Sequence, residues 1–388
     1  MAKKLKILEC IRQGKIGGGE SHLLSLVENL DRTRFEPVVL SFTEGPMIDR
    51  LRRMNVETRV IHTEKPFDLR VWKPVKKWMK PEGFDVVHAH GTRANSNILW
   101  AARSLGIPVV YTVHGWSFHQ DQHPLIRRIR VLGEKYLTAK SDLNISVSSS
   151  NRQSGKKYLS SFESVVVNNG IDNKKFDPQG RYKDIRAELG IPVGAVLVLF
   201  IARFTAHKQP LSLLDAFVRA LPSFPGMHLL MVGEGDQQAR AVETVNQLGL
   251  GRNIHFQSFR QDVPDVLAAA DIFVLPSLWE GLPIGLLEAM AMGKAVIASD
   301  VDGTSEIVQN GVNGLLIPTE HLVGHLTEAL ITLGKDTVLR RHFGDKAIET
   351  VNGKYNAAVM TREIERIYTG LYERHSSTTI TKPVYHGI

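Results

Sequence analysis

Cysteine is almost missing from this chain of 388 residues, in which Cys10 is the only one. A single cysteine cannot form a disulfide within the chain, which excludes a disulfide-stapled scaffold and favours a reducing compartment. Long apolar runs are missing too. The longest, Ala195–Ala202, has the length of a buried strand and falls far short of the ~20 residues that cross a membrane. We therefore expect a soluble, cytoplasmic protein.

We do not expect the N-terminal segment to be a targeting signal. Its basic start is followed by an apolar stretch that is too short for the core of a signal peptide, and no small-residue cleavage site comes after it. We interpret Lys6–Ile11 as a first β-strand instead.

Short repeats and low-complexity tracts are absent, and strand-like apolar runs alternate with amphipathic segments such as Glu20–Leu30. The predicted strands are Lys6–Ile11, Pro37–Phe42, Glu57–His62, Phe84–His90, Val109–His114 and Leu143–Val147, and then, after a polar linker, Ala195–Ala202, His228–Val232, Asn253–Phe256, Ile272–Pro276 and Ala295–Ser299. This alternation predicts parallel sheets covered by helices. The fold class is therefore α/β, with two Rossmann-like domains.

The polar segment 168–180 contains glycine and proline breakers and reads as the linker between these domains. We place the first domain at residues 1–171 and the second at 172–354. A final helix is predicted at 355–375, and residues 376–388 form a polar tail.

Acidic residues are scarce only in the N-terminal part. Residues 1–170 contain 27 Lys and Arg against 16 Asp and Glu, whereas the rest of the chain contains 21 against 24. This asymmetry suits an anionic membrane surface, an anionic acceptor or nucleic acid, and it also suits plain solubility. Two basic segments with apolar residues, Val71–Lys80 and Leu125–Leu137, fit a bilayer surface. They equally fit ordinary helices that pack on the core and expose a basic face.

Ligands of open parallel sheets bind beyond the carboxyl ends of the strands. After the first strand, Gly17, Gly18 and Gly19 open a helix whose free N–H groups can hold phosphate. The run is neither a GxGxxG fingerprint nor a P-loop, and a tight turn explains it equally well.

Charged residues follow two strands of the second domain. Arg203 and Lys208 come after a buried strand and offer the cations that a diphosphate needs. Glu280 and Glu288 span a turn and the start of an apolar helix, Ile284–Met292, with Pro283 in its first turn. Carboxylates there can accept hydrogen bonds from sugar or ribose hydroxyls.

Two patterns resemble metal sites. Asp300 and Asp302 form a DxD, but they supply too few ligands for a dedicated cation site. His88 and His90, with His119 and His123 nearby, lack cysteine or acidic partners at zinc spacing. We expect hydrogen-bonding histidines, no metal and no cofactor.

Together these features resemble the retaining nucleotide-sugar glycosyltransferases of family 4. The resemblance covers nearly the whole chain and rests on GGGE, VVHAHG, YTVHG, NNGID, Arg203 with Lys208, VGEG and, most specifically, EGLPIGLLEAMAMGKAVIAS. It implies the GT-B fold, in which two Rossmann-like domains face each other across a cleft and the final helix crosses back to the first domain.

The resemblance also implies residue roles. Arg203 and Lys208 would bind the donor diphosphate and stabilise the departing phosphate, and Glu288 would bind the ribose. The other implied contacts are Glu280 and the N–H groups of Leu282, Ile284 and Gly285 with the sugar and its phosphate, Gly17 and Gly18 with the diphosphate, His114 with the transferred sugar, and Phe259 and Arg260 with the base.

This sequence departs from the family pattern at four places. Ala202, Gln209 and Ser258 stand where glycine is usual, and Asp302 replaces the first glycine of a pair that Gly303 completes. The implied activity is metal-independent transfer of a hexose or N-acetylhexosamine, from a UDP-sugar by family frequency, to a glycan or lipid-linked acceptor in bacterial-type surface glycan or glycolipid synthesis. The alternatives are a sugar-nucleotide epimerase or hydrolase of the same fold, a transferase with a soluble acceptor, and a nucleic-acid-binding protein, which we do not expect.

Overall fold

The computed structural model describes residues 3–119 and 122–380, with side chains as far as residue 377. The described residues divide into two compact units. The first consists of the chain up to Gly170 together with the helix that begins at Ala357, and the second is Ile171–Asn356. The predicted boundary lies one residue from the observed one. Among the described residues, no helix combines the length and the apolarity that a membrane span requires.

The first unit contains a seven-stranded parallel sheet in the order β3-β2-β1-β4-β5-β6-β7. Its strands are β1 (Leu5–Ile11), β2 (Phe35–Ser41), β3 (Glu57–Val60), β4 (Val86–His90), β5 (Val109–Val113), β6 (Leu143–Ser146) and β7 (Val165–Val166). The helices between them are α1 (Gly18–Asn29), α2 (Pro46–Arg53), α3 (Leu69–Glu82), α4 (Thr92–Ser104), α5 (Pro124–Lys140) and α6 (Ser149–Tyr158). The central strands are nearly continuous apolar runs because helices cover both faces of the sheet.

The second unit contains a six-stranded parallel sheet in the order β10-β9-β8-β11-β12-β13. It begins with α7 (Ile185–Leu189), and its strands are β8 (Val196–Ile201), β9 (Met227–Val232), β10 (Ile254–Gln257), β11 (Ile272–Leu275), β12 (Ala295–Ser299) and β13 (Leu315–Ile317). The remaining helices are α8 (Pro210–Ala220), α9 (Gln238–Leu248), α10 (Val263–Ala269), α11 (Ile284–Ala291), α12 (Asp302–Ser305), α13 (Leu322–Lys335) and α14 (Thr337–Lys354).

The last helix, α15 (Ala357–Ile380), belongs to the first unit. Met360, Ile364, Tyr368 and Leu371 pack into a core cluster with residues of β1, β4 and β5. The helix continues five residues past its predicted end at 375, into the segment predicted as the polar tail. Residues 381–388 lie outside the described part of the chain.

Every predicted strand is present, with ends within two residues of those expected. Two strands were not predicted, β7 and β13, and both are short strands at the edge of a sheet. Pro283 is the residue before α11 and not part of its first turn, so that prediction is off by one position. The predicted α/β fold class is confirmed.

Candidate functional site

Most of the predicted donor-binding residues of the second unit follow β8 and β11, the two strands at which the strand order of the parallel sheet reverses. β8 and β11 are neighbours in the sheet, although the strands β9 and β10 and the helices α8, α9 and α10 lie between them in the chain. Arg203 comes two residues after β8, and Glu280 comes five residues after β11. Such a reversal leaves a crevice at the carboxyl ends of the strands, where α/β proteins bind their ligands.

Lys208 and Glu280 form an ion pair at this edge of the sheet. Their side chains are only 16% and 11% exposed, so water screens the pair weakly. Two further contacts join the loops that carry them. The amide of Leu278 donates to the carbonyl of His207 at 2.8 Å, and the rings of His207 and Trp279 stack with centroids 5.0 Å apart. Arg203 lies exposed at the same edge.

Glycines allow the neighbouring loops to approach this edge closely. A Cβ on Gly233 would lie 2.1 Å from the carbonyl oxygen of Ala202, and a Cβ on Gly235 would lie 2.3 Å from that of Phe204. A Cβ on Gly303 would lie 1.9 Å from the carbonyl oxygen of Gly281. Side chains at these positions would push apart the loops that carry Arg203 and Glu280, which explains the glycines of VGEG and Asp302–Gly303 physically.

Two of the departures from the family pattern coincide with unusual backbone. Gln209 has a φ of 55° and Asp302 a φ of 20°, in the region that glycine adopts without strain. At both positions the backbone has the positive φ that is usual for glycine, although the residue is not glycine.

The start of α11 presents backbone donors. Pro283 precedes the helix, so the N–H groups of Ile284 and Gly285 belong to its first turn and have no acceptor within the helix. Leu282 is buried directly before Pro283. The positive end of the helix dipole adds to these donors, and together they suit an anion.

Glu288 lies one turn further along α11. Part of its side chain reaches the surface, but the carboxyl group is closely packed, and this burial raises its pKa to about 7 against the opposing effect of Lys175. A carboxyl group with that pKa changes charge near neutral pH and can accept hydrogen bonds from hydroxyls when ionised.

The residues expected at the base lie after β10. The ring of Phe259 is exposed. The guanidinium of Arg260 is held by Asp262 at 2.6 Å and by Glu188 at 3.1 Å, and these hydrogen bonds raise its pKa. Its side chain is thus oriented by two carboxylates of the protein itself.

In the first unit, the glycine run caps a helix as predicted. Gly17 is the N-cap of α1 and Gly18 its first residue, and a Cβ on Gly18 would meet nothing within 4 Å. The third glycine lies beside His114, since a Cβ on Gly19 would be in van der Waals contact with Cδ2 of His114 at 3.4 Å. The structure thus brings the glycine run and His114 together.

His114 is the half-exposed end of a buried polar cluster at the reversal point of the first sheet. Glu9 of β1 lies beside His88 in the register of β1 and β4, and Ile11 lies beside His90. His90 binds Glu9 through Nε2 at 2.9 Å and His114 through Nδ1 at 3.1 Å. His88 contacts Tyr368 and Thr112. The prediction that these histidines form hydrogen bonds is confirmed.

Two groups within this cluster have the spacing of metal ligands, His22 with His90 and His114, and Glu9 with His88 and His90. The expectation that no acidic partner stands near these histidines is wrong, because Glu9 comes from a different strand. Both groups contain His90, whose two ring nitrogens already contact Glu9 and His114.

Sequence reasoning missed Glu9, His22 and Tyr368. A signal for Glu9 was present, since it is the one acidic residue within the apolar run of β1. Nothing local marked Tyr368, which reaches the cluster from a helix more than 350 residues further along the chain. Ser277 and Ser299 were missed as well. Their buried hydroxyls, near the ends of β11 and β12, have no hydrogen-bond partner among the described residues.

Two family models of known proteins match this chain, one in each half. The model described as glycosyltransferase family 4 matches residues 16–175, and the model described as glycosyl transferases group 1 matches residues 182–350. The UDP-Gal:alpha-D-GlcNAc-diphosphoundecaprenol alpha-1,3-galactosyltransferase of Escherichia coli is 26% identical over 94% of this chain and 97% of its own length. The phosphatidyl-myo-inositol mannosyltransferase of Mycobacterium leprae is 28% identical over 91% of this chain and 92% of its own.

Solved structures share the fold. Alr3699/HepE of Anabaena, crystallised with UDP and glucose, superposes with a TM-score of 0.80 at 22% identity, covering 94% of this chain and 100% of its own. WaaG, a glycosyltransferase of lipopolysaccharide biosynthesis, gives 0.75 at 18% identity, covering 94% and 100%. Two parallel-sheet units, the residues at their strand ends and both family matches lead to one conclusion: the chain belongs to glycosyltransferase family 4 and has the GT-B fold.

Proposed function

We propose that this glycosyltransferase moves a hexose or N-acetylhexosamine, with retention of anomeric configuration, from a UDP-sugar to a hydroxyl of a lipid-linked glycan or glycolipid. The observation that carries the proposal is the convergence of Lys208, Glu280, Arg203 and the first turn of α11 at the reversal point of the second sheet. This combination of cations, helix N–H groups and one carboxylate suits a diphosphate bonded to a sugar.

The proposed chemistry follows from these groups. The bond between the anomeric carbon and the diphosphate oxygen breaks while the acceptor oxygen bonds to that carbon on the same face. Arg203, Lys208 and the N–H groups of Ile284 and Gly285 stabilise the negative charge that develops on the departing phosphate. The acceptor's proton passes to an oxygen of that phosphate. Glu280, which is paired with Lys208, orients this cation and binds the sugar.

The other site residues take binding roles in this proposal. Glu288 binds the ribose hydroxyls, Phe259 and Arg260 flank the base, and Leu282 contributes its N–H to the sugar phosphate. In the first unit, Gly17 and Gly18 approach the diphosphate and His114 binds a hydroxyl of the transferred sugar.

We propose that no divalent metal takes part. Asp300 and Asp302 are exposed, and Asp300 already accepts a hydrogen bond from Ser305 at 2.6 Å. The cations of the site replace the metal as the partner of the diphosphate.

The acceptor is proposed to be membrane-bound because of the surface of α5. Leu125, Ile129, Leu132 and Tyr136 recur at helical spacing and are 62%, 61%, 58% and 49% exposed. Arg127, Arg128 and Lys135 stand beside this apolar stripe. An exposed stripe of this kind with basic neighbours suits the surface of an anionic bilayer, at the cytoplasmic face of the inner membrane.

Both relatives named above support a lipid acceptor. One is named for a diphosphoundecaprenol-linked acceptor and the other for phosphatidyl-myo-inositol. The second basic segment gives no such support. In α3, Val71, Val75 and Met79 are buried, Trp72 stacks on Trp100 and Trp78 packs on Phe84. Because these tryptophans pack within the protein, they also do not favour nucleic-acid binding.

A screen of nucleotide sugars tests the proposal. Each donor is incubated with the purified protein, with and without extracts of bacterial lipid-linked glycans, and UDP release is measured in EDTA and in Mg²⁺. We expect release with one UDP-hexose or UDP-N-acetylhexosamine that requires the lipid fraction and persists in EDTA. Release or epimerisation without any acceptor would favour the hydrolase or epimerase. Complete loss of UDP release in EDTA, restored by Mn²⁺, would contradict metal independence. UDP release that requires only a water-soluble acceptor would favour a transferase with a soluble acceptor.

A further inference from the structure

A continuous chain of hydrogen bonds runs from the interior of the first unit to His114. It begins at Glu9, which is fully buried, and whose Oε1 accepts from the hydroxyl of Tyr368 at 2.6 Å. Oε2 of Glu9 contacts Nε2 of His90 at 2.9 Å, and Nδ1 of His90 contacts Nε2 of His114 at 3.1 Å. The chain thus links β1, β4 and the residue that follows β5.

The protonation of Glu9 gives this chain a direction. Burial would raise the pKa of Glu9. The electrostatic and hydrogen-bond interactions of its carboxylate with His88 and His90 outweigh the effect of burial and hold the pKa below its usual range. An ionised carboxylate can only accept hydrogen bonds, so Nε2 of His90 must carry the proton that it donates. Burial, with a smaller contribution from His88, lowers the pKa of His90 to about 4. The ring is therefore neutral, and its Nδ1 can only accept.

The same logic applies to the next ring. Because Nδ1 of His90 accepts, Nε2 of His114 must donate to it. Burial, followed by the neighbouring His22 and His90, lowers the pKa of His114 well below its usual value. The ring is neutral with its single proton on Nε2, and Nδ1 of His114 carries a lone pair. Nδ1 makes no hydrogen bond to any described residue, and His114 is the half-exposed member of the cluster.

The position of the ring is fixed as well. His114 packs against Gly19 on one side and meets His22 edge-on, with centroids 4.8 Å apart. His22 is held by Asn169 through Nδ1 at 2.9 Å. The ring of His114 therefore has a set plane in addition to a set proton.

We infer that Glu9 and His90 are positioning residues that hold His114 in the Nε2–H tautomer, so that its Nδ1 accepts a hydrogen bond from a hydroxyl of the transferred sugar. The inference rests on the proposed function for the identity of that sugar. The tautomer itself depends only on the contacts within the first unit. A buried carboxylate is costly to maintain, and this role gives a reason for its presence in the middle of an apolar strand.

Nitrogen NMR on the full-length protein tests the tautomer directly. Two-bond proton–nitrogen correlations of the imidazole rings distinguish a protonated Nδ1 from a protonated Nε2. We expect His90 and His114 to carry the proton on Nε2. The His228–His255 pair of the second unit, whose rings contact at 3.2 Å, serves as an internal reference. A proton on Nδ1 of His114 in the wild-type protein would overturn the inference without any variant.

The variant Glu9→Gln removes the constraint, because a carboxamide can donate to His90 as well as accept. We expect a population of His114 with the proton on Nδ1 and a fall in kcat/KM of about tenfold to a hundredfold, the effect of one misdirected hydrogen bond. UDP affinity should stay unchanged, because its proposed contacts lie mainly in the second unit. Unchanged His114 tautomers together with unchanged kcat/KM would contradict the inference.

Tyr368→Phe is the matched control for a general disturbance of the buried hydrogen bonds around Glu9. It removes the hydrogen bonds of the Tyr368 hydroxyl with Oε1 of Glu9 and with Nδ1 of His88, and it leaves the contact between Glu9 and His90 in place. We expect His114 to keep its proton on Nε2 in this variant. A tautomer shift as large as that of Glu9→Gln would mean that any disturbance of the network has the same effect, and the positioning role would be lost.

Donors that lack one hydroxyl each identify the partner of Nδ1. For the wild-type protein, one of these donors should have a lower kcat/KM than the complete donor. For His114→Ala, that donor and the complete donor should have the same kcat/KM, because the substitution and the missing hydroxyl remove the same hydrogen bond. If the losses in kcat/KM were additive for every such donor, the inferred hydrogen bond between His114 and the sugar would be refuted. Failure of the UDP-sugar screen would instead refute the proposed function and leave the tautomer result standing.

Discussion

At the scale of single residues, Arg203 and Lys208 differ in what surrounds them. Arg203 is exposed, whereas Lys208 is mostly buried and paired with Glu280. We expect Arg203→Ala and Lys208→Ala each to weaken UDP binding by on the order of 1.5–3 kcal/mol, the contribution of a charge-assisted hydrogen bond. The effect of Lys208→Ala should be larger, because the uncompensated charge of Glu280 then repels the phosphates.

Isothermal titration calorimetry with UDP checks this expectation. Arg219→Ala is the control, since Arg219 is an exposed arginine of the same unit that pairs with Asp215 on α8. Lys208→Ala combined with Glu280→Gln should recover part of the lost affinity. Equal UDP affinity of both single variants and the wild type would refute the diphosphate assignment.

The two glutamates near α11 should act on different parts of the donor. Glu288 is proposed to bind the ribose, so Glu288→Gln should weaken free UDP as well as the UDP-sugar. Glu280→Gln should mainly reduce turnover. Because burial raises the pKa of Glu288 to about 7, its carboxylate form gains population as the pH rises from 6 to 8. We therefore expect wild-type affinity for UDP to increase over that range more than the affinity of Glu288→Gln does.

UDP titrations at several pH values measure this difference, and the variant corrects for the titration of the phosphate itself. The contribution of Glu288 to folding stability changes with pH in the opposite direction to its contribution to UDP affinity. A carboxyl whose folded-state pKa is raised binds more protons in the folded state, so its contribution to stability declines as the pH rises from about 4.5 to 7. Parallel pH profiles of wild type and Glu288→Gln would contradict the assignment of Glu288 to the ribose.

At the scale of elements, the sequence was informative wherever a strand is a continuous apolar run. β8 and β12 could be placed from such runs, because strands buried on both faces are apolar throughout. β7 has two residues and β13 three, and runs that short carry no periodicity. The same limit explains the helix boundary at residue 375, since a polar surface helix has no apolar pattern to mark where it ends.

The candidate site divides in the same way. Arg203, Lys208, Glu280 and Glu288 could be found because each stands beside a strand end or in an apolar helix. The Lys208–Glu280 pair and the Glu9–His90–His114 chain could not, since they depend on which strands are neighbours across the sheet reversals. Strand order is set by packing of the whole sheet and has no local signal.

The helices α3 and α5 show how similar sequence patterns acquire different surroundings. Both mix basic and apolar residues, yet α3 buries its apolar face and α5 exposes most of its own. The inner face of α5 is anchored instead by Glu134, which is buried and accepts from Thr92 at 2.6 Å and from Tyr111 at 2.9 Å. Of the apolar residues of this helix, Leu137 is buried in the core, whereas most of the others are exposed.

At the scale of the whole molecule, the basic excess of residues 1–170 and the exposed apolar stripe of α5 belong to the same unit. We expect the full-length protein to bind vesicles that contain anionic lipid. Each Lys or Arg near such a surface contributes about 1 kcal/mol, so replacing Arg127, Arg128 and Lys135 by Gln should weaken binding by about a hundredfold. Arg130 is left unchanged because it donates to the carbonyl of Ser117 at 2.8 Å, in the loop after His114.

Co-sedimentation with vesicles of neutral lipid, with and without anionic lipid, measures the effect. The matched control replaces Arg50, Arg52 and Arg53 of α2 by Gln, which changes the net charge of the same unit equally but on a helix whose apolar residues are buried. We expect this control to bind nearly as the wild type does. Binding should also weaken with salt, since the Debye length falls from about 10 Å at 0.1 M to about 3 Å at 1 M. Equal losses in both variants would assign the attraction to net charge alone, and no binding at low salt would leave a soluble acceptor as the better hypothesis.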